Sequence, residues 1–123
     1  MFATRSFFLF MNMVDVQSKG SVNRIKKCAF DLLSIGDMTD DEYSWDLMGK
    51  DLRLKLMFLY CDFSQVISSA PKEEKKSLID LANRLFHYIE ELDHAVKIRS
   101  IPLTQNRYND AALVLQEVMA LVP

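Results

Sequence analysis

Trp45, Met48, Leu52, Leu56, Leu59, Phe63 and Val66 follow one another at intervals of three or four residues, which on a helix places them on one narrow face. A chain that holds this period over about six turns commits to a long helix with a buried side, and the rest must pack against it. The same stretch, Trp45 to Ile67, carries a second stripe: Leu47, Leu54 and Cys61 recur at every seventh position with Met57 and Phe58 beside them, roughly opposite the first. A helix in a small bundle buries only one face in its own fold. The second stripe is therefore either covered by a neighbouring helix or left as a docking surface, with Leu47, Leu54, Met57 and Phe58 as its candidate contacts.

Around this helix the sequence marks out three more. Ser21 is a candidate N-cap for a first helix reaching Ile35, with Val22, Ile25, Ala29, Leu32 and Leu33 on one side and Gly36 at its C-terminal stop. Asp40, Asp41 and Glu42 lie where negative charge suits the start of the second helix. Ser69-Ala70-Pro71 ends that helix and opens the third, because proline lacks the N–H that a helix interior needs but suits a first turn. Leu78, Leu81, Ala82, Leu85, Ile89, Leu92 and Val96 form the apolar stripe of the third helix, with Phe86 at its edge. Lys72, Lys75 and Lys76 sit at its start, the unfavourable end for positive charge; they read as a solvated face or as a contact for an acidic partner. After Ser100-Ile101-Pro102 a fourth helix runs from about Leu103 to Leu121 through Tyr108, Ala111, Leu115, Val118 and Val122. Long helices joined by short turns are antiparallel neighbours, so the prediction is an all-α, up-down-up-down four-helix bundle.

Composition agrees. With 123 residues, half of them hydrophobic, and only three glycines and three prolines, there are too few turn-formers for many short strands. The chain is long enough for one core without metal or disulfide support. The formal net charge of -2 gives no field that would draw it to nucleic acid. Domain organisation reads as Met1–Gly20, a flexible or remnant N-terminal segment, followed by the bundle over 21–123. Met1 to Val14 is apolar but too short to span a membrane, and it lacks a convincing cleavage site.

Chemistry is sparse. An antiparallel hairpin of helices one and two separates Cys28 from Cys61 by roughly 15 Å along the bundle, too far for a disulfide, so two free, packed thiols are expected. The acids between Asp37 and Glu42 lack the alternate spacing, central glycine and terminal glutamate of a calcium loop. Glu91-Leu92-Asp93-His94 matches half of a bundle di-iron motif, but no second copy exists, and His87 and His94 project away from the apolar stripe. No glycine-rich phosphate loop and no nucleophile motif is present. The residues specify a non-enzymatic interaction module without catalytic, cofactor or metal residues.

The stretch from Asp51 to Ser100 resembles the PsbQ family, extrinsic helical-bundle proteins on the lumenal side of the thylakoid. The resemblance is carried by Asp51-Leu52-Arg53-Leu54-Lys55, by Leu59-Tyr60-Cys61-Asp62-Phe63 with Val66-Ile67-Ser68, by Pro71-Lys72-Glu73-Glu74-Lys75-Lys76-Ser77-Leu78, and by Glu91-Leu92-Asp93-His94-Ala95-Val96-Lys97-Ile98-Arg99-Ser100. It extends more loosely through helix four at Arg107-Tyr108. One branch of that family supports calcium and chloride retention at the oxygen-evolving centre of photosystem II; the PsbQ-like branch supplies lumenal subunits of the chloroplast NADH dehydrogenase-like complex in cyclic electron flow around photosystem I.

The segment from Arg24 to Leu33, Trp45, and Phe58-Leu59-Tyr60-Cys61 resemble the PsbQ-like branch, and nothing resembles the proline-rich arm of the other. The resemblance implies a lumenal, peripheral thylakoid subunit whose partners are proteins of the dehydrogenase-like complex or, alternatively, the photosystem II core. Met1–Gly20 is too short and too poor in Arg and Ser for a bipartite transit peptide. Either the chain is incomplete at its N-terminus or this copy is not delivered to the lumen.

Overall fold

The computed structural model describes residues 16–34 and 44–120. They form four helices: α1 (Val16–Leu33), α2 (Ser44–Ser69), α3 (Lys72–Lys97) and α4 (Ile101–Ala120). Each helix packs on the next, and α4 closes back on α1, so the four form a ring around one core. Contacts run in opposite order along neighbours: Arg24 of α1 meets Asp62 of α2 while Cys28 meets Lys55, and Phe63 of α2 meets Phe86 of α3 while Arg53 meets Asp93. That reversal is the up-down-up-down bundle the periodicity predicts.

The expected stripes supply the core. Trp45, Met48, Leu52, Leu59, Phe63 and Val66 of α2 are buried, as is every predicted stripe residue of α3 from Leu78 to Val96. Val22, Ile25, Ala29 and Leu32 of α1 and Ala111, Leu115 and Val118 of α4 complete it, with Leu33, Leu56, Phe86 and Tyr108 packed at its margin.

The ends differ in instructive ways. α1 begins at Val16, so Gln17 to Ser21, read from sequence as a polar break with a cap at Ser21, lies within the helix. Ser21 is buried there, and its hydroxyl accepts from Arg24 Nη2 at 3.1 Å instead of capping the backbone. Helix propensity of Val16 to Gly20 is modest; packing of the buried face beyond it carries the helix through. Met1–Asp15, Gly36 and the acids from Asp37 to Glu42 lie outside the described residues.

The α2–α3 turn is as read, with Pro71 before the first turn of α3 and its carbonyl accepting from Glu74 N at 2.9 Å. Between α3 and α4, Arg99 N donates to Val96 O at 3.0 Å and Ser100 N to Ala95 O at 3.3 Å, the bond pair of a Schellman cap, with Arg99 at φ 55 in the place where glycine is usual. Ser100 then caps α4, its Oγ accepting from Leu103 N at 3.3 Å. That cap starts α4 at Ile101, two residues before Leu103.

Candidate docking site

On α2 the two stripes separate as the helical period demands. Opposite the buried face, Leu47 and Leu54 are each 49% exposed and Met57 and Phe58 each 56%. Among the described residues, no neighbouring helix covers them. Large apolar side chains held in water at this density along one helix mark an interaction surface more often than chance exposure.

The helix that presents them is fixed on both flanks. Toward α1, the Arg24 guanidinium holds Asp62 through Nε and Nη2, with 2.9 Å from Nη2 to Oδ1. This carboxylate raises the pKa of Arg24 above its ordinary value, chiefly by hydrogen bonding. Toward α3, the Tyr60 ring packs on Phe86 at 4.1 Å between centroids, and its hydroxyl donates to Glu90 Oε1 at 3.0 Å. That bond raises the Tyr60 pKa. A surface on an element braced in this way keeps its shape, which lowers the ordering cost of docking.

The lysines are placed differently. Lys72 and Lys76 are exposed and Lys75 half-buried in the first turns of α3. They lie at the α2–α3 hairpin end, roughly 15 Å beyond Phe58 along the bundle axis. The structure thus brings Leu47, Leu54, Met57 and Phe58 together on one face and sets the lysine group apart at one end.

The cysteines correct one expectation. Cys28 is free and half-buried, with its Sγ donating to Lys55 O at 3.9 Å, and burial pushes its thiol pKa up to about 11. Cys61 is free but exposed, because it belongs to the outward stripe. His87 and His94 are exposed on α3. Among the described residues, no group of three or more His, Cys, Asp or Glu side chains is placed to hold a metal, and no helix is long and apolar enough to cross a membrane. Sequence reasoning missed a cleft between the start of α2 and the end of α3. Its signal was present in Arg53 and Lys97, which antiparallel pairing brings level, but the backbone turn at Arg99 had none.

A family profile, PsbQ, described as oxygen evolving enhancer protein 3, matches residues 3–123. The chain belongs to the PsbQ family. Among curated PsbQ-family relatives, it is 43% identical over 107 residues to the photosynthetic NDH subunit of lumenal location 3 of Arabidopsis thaliana, covering 87% of this chain and 48% of that protein. It is 39% identical over 97 residues to oxygen-evolving enhancer protein 3-1 of Zea mays, covering 79% and 44%, and 37% identical over 100 residues to the spinach (Spinacia oleracea) oxygen-evolving enhancer protein 3, covering 81% and 43%. The chain therefore spans about half the length of these PsbQ-family proteins or less.

Proposed function

We propose that this chain acts as a non-catalytic lumenal subunit of the chloroplast NADH dehydrogenase-like complex, peripheral on the thylakoid membrane, that assembles by docking. The observation that carries the reading is the exposed Leu47, Leu54, Met57 and Phe58 face on a braced helix, in a chain 43% identical to a relative named for the lumenal side of that complex. Leu47, Leu54, Met57 and Phe58 form the apolar contact; Lys72, Lys75 and Lys76 meet acidic surface at the hairpin end. The relatives named oxygen-evolving enhancer protein 3, at 33–39% identity, make photosystem II the competing assembly.

Native-gel separation of mildly solubilised thylakoids, with immunodetection of this chain, tests the reading. Comigration with the dehydrogenase and photosystem I assembly supports it; comigration with photosystem II transfers the bundle to that complex; absence from thylakoids overturns both. Cys61 supplies a second readout. A maleimide reaches it in the free chain, and burial of the α2 stripe in the assembly protects it, whereas Cys28 reacts slowly in both states because its thiol is half-buried and poorly ionised.

A further inference from the structure

The exposed apolar residues of α2 do not run straight along it. Leu47 and Leu54, seven positions apart, mark its outer face, while Met57 and Tyr60, each three positions further on, step round the helix toward α3. Tyr60 is 45% exposed although its ring and hydroxyl rest on Phe86 and Glu90 of α3. The line then crosses the seam. Ile79, 42% exposed, lies seven positions before Phe86, two turns back on the side of α3 that meets α2. From Leu47 to the level of Ile79 this apolar track is about 30 Å long.

The two ends of the track differ in charge. Where α2 begins and α3 ends, beside a cleft of about 320 Å³ walled in part by Trp45, Gly49 and Val96, the cations are engaged. Arg53 and Lys97 hold opposite oxygens of Asp93, at 3.2 and 3.3 Å, and Arg99 lies 3.1 Å from Asp46. At the hairpin end, Lys72 precedes Ile79 by two turns and Lys75 precedes Phe86 by three, which puts both on the α2 side of α3. Glu73 precedes Arg84 by three turns and so falls on the side toward α4, where Arg84 holds Glu117. Among the described residues, no carboxylate stands within ion-pair distance of Lys72, Lys75 or Lys76.

We propose that the track receives an amphipathic helix of a partner protein, laid antiparallel to α2 with an acidic first turn at Lys72, Lys75 and Lys76. The proposal rests on the docking reading above and names the occupant of that face. Leu47, Leu54 and Cys61 with Met57 between them have the spacing of a seam that packs against another helix. Bundle helices cross at about 20° and lie about 8–10 Å apart. Over about 30 Å that slope carries a helix about 10 Å sideways, from the outer face of α2 to its seam with α3. Charge sets the direction. Acidic residues are favourable in the first turn of their own helix, so the end that meets the lysines is the N-terminal one.

Two capped, fluorescein-labelled peptides of about 24 residues test this by anisotropy with the full chain. Both carry leucines at alternating intervals of three and four on an Ala/Gln background; one has three glutamates in its first turn, the other the same three in its last. The acid-first peptide should bind at least about fivefold tighter. Changing Lys72, Lys75 and Lys76 together to Gln should bring the two peptides within about twofold of each other. Ile79→Ser should weaken the acid-first peptide about threefold or more. Leu113→Ser removes an equally exposed side chain on α4, diagonal to α2 in the ring, and should change nothing.

Equal affinity for the two peptides, or binding of neither, overturns the proposal. So does a preference that survives in the triple Gln variant, which would belong to the peptides' own helicity, and so does an equal loss in Leu113→Ser and Ile79→Ser. The docking reading fails separately. If Leu54→Ser with Phe58→Ser displaces the chain from its complex on native gels while neither peptide binds, the face is a dock and the helical occupant is overturned. Selective binding of the acid-first peptide by a chain absent from thylakoid complexes supports the helical occupant and removes the assembly.

Discussion

Arg24 on α1 grips Asp62 on α2 with two nitrogens, Nε at 3.1 Å and Nη2 at 2.9 Å from Oδ1, and Asp62 is only 8% exposed. The pair sits at the seam between the first two helices, and the two partners are not equivalent. Removing the guanidinium leaves a carboxylate in the seam without its cation, whereas removing both leaves an apolar contact. Arg24→Met should therefore lower the urea midpoint, and adding Asp62→Leu should recover most of the loss. An unchanged midpoint in Arg24→Met would show that solvent already does the work of the arginine.

Leu52 and Leu54 are two residues apart and have opposite fates, at 0% and 49% exposed. Leu52→Ala empties a packed site and should cost about 2–5 kcal/mol. Leu54→Ser and Phe58→Ser remove side chains that already face water and should each stay within about 0.5 kcal/mol in the isolated chain, with helicity by circular dichroism unchanged. The assembly should respond in the reverse sense: the Leu54→Ser, Phe58→Ser double variant is folded but displaced from its complex on native gels. Loss of folding in that variant would place the stripe inside the molecule.

Most of the fold was legible because its helices are long and their apolar period is regular; the α3 stripe could be read residue by residue from Leu78 to Val96. Both faces of α2 were legible for the same reason. What sequence could not show was tertiary override at the ends. Ser21 looks like a cap, yet packing of the buried face extends α1 back to Val16. Arg99 has no sequence mark of its left-handed backbone, because the residue that usually announces it is glycine, and without that turn the cleft cannot be anticipated. The spacing also left Cys61 counted as packed, although the outward stripe that contains it was already visible.

Thr104 in the first turn of α4 is a residue that periodicity passed over. It is 0% exposed, and its Oγ1 has no hydrogen-bond partner among the described residues, a position better suited to a methyl group. Thr104→Val keeps the shape and removes the unsatisfied hydroxyl, so it should stabilise the bundle by about 1 kcal/mol. A lower urea midpoint for this variant would show that the hydroxyl is satisfied in solution.

Arg84 of α3 holds Glu117 of α4 through two parallel bonds, 2.8 Å from Nη2 to Oε1 and 2.9 Å from Nη1 to Oε2. Those hydrogen bonds first, and the charge of Arg84 after them, hold the Glu117 carboxyl below the usual carboxylate range against the opposing effect of burial. An unfolded glutamate takes up its proton near pH ~4.3, while folded Glu117 resists it to lower pH. Between those two points the unfolded chain binds more protons, so the pair's contribution is whole above the unfolded value and is lost as pH falls through the folded one. Glu117→Gln removes this dependence. The gap in urea midpoint between the natural chain and Glu117→Gln should be widest at neutral pH and should close as the pH is lowered below the carboxylate range. Comparing the two chains at each pH isolates Glu117 from the other acids, and a gap that stays constant across the range would mean that the ion pair does not hold the helices together.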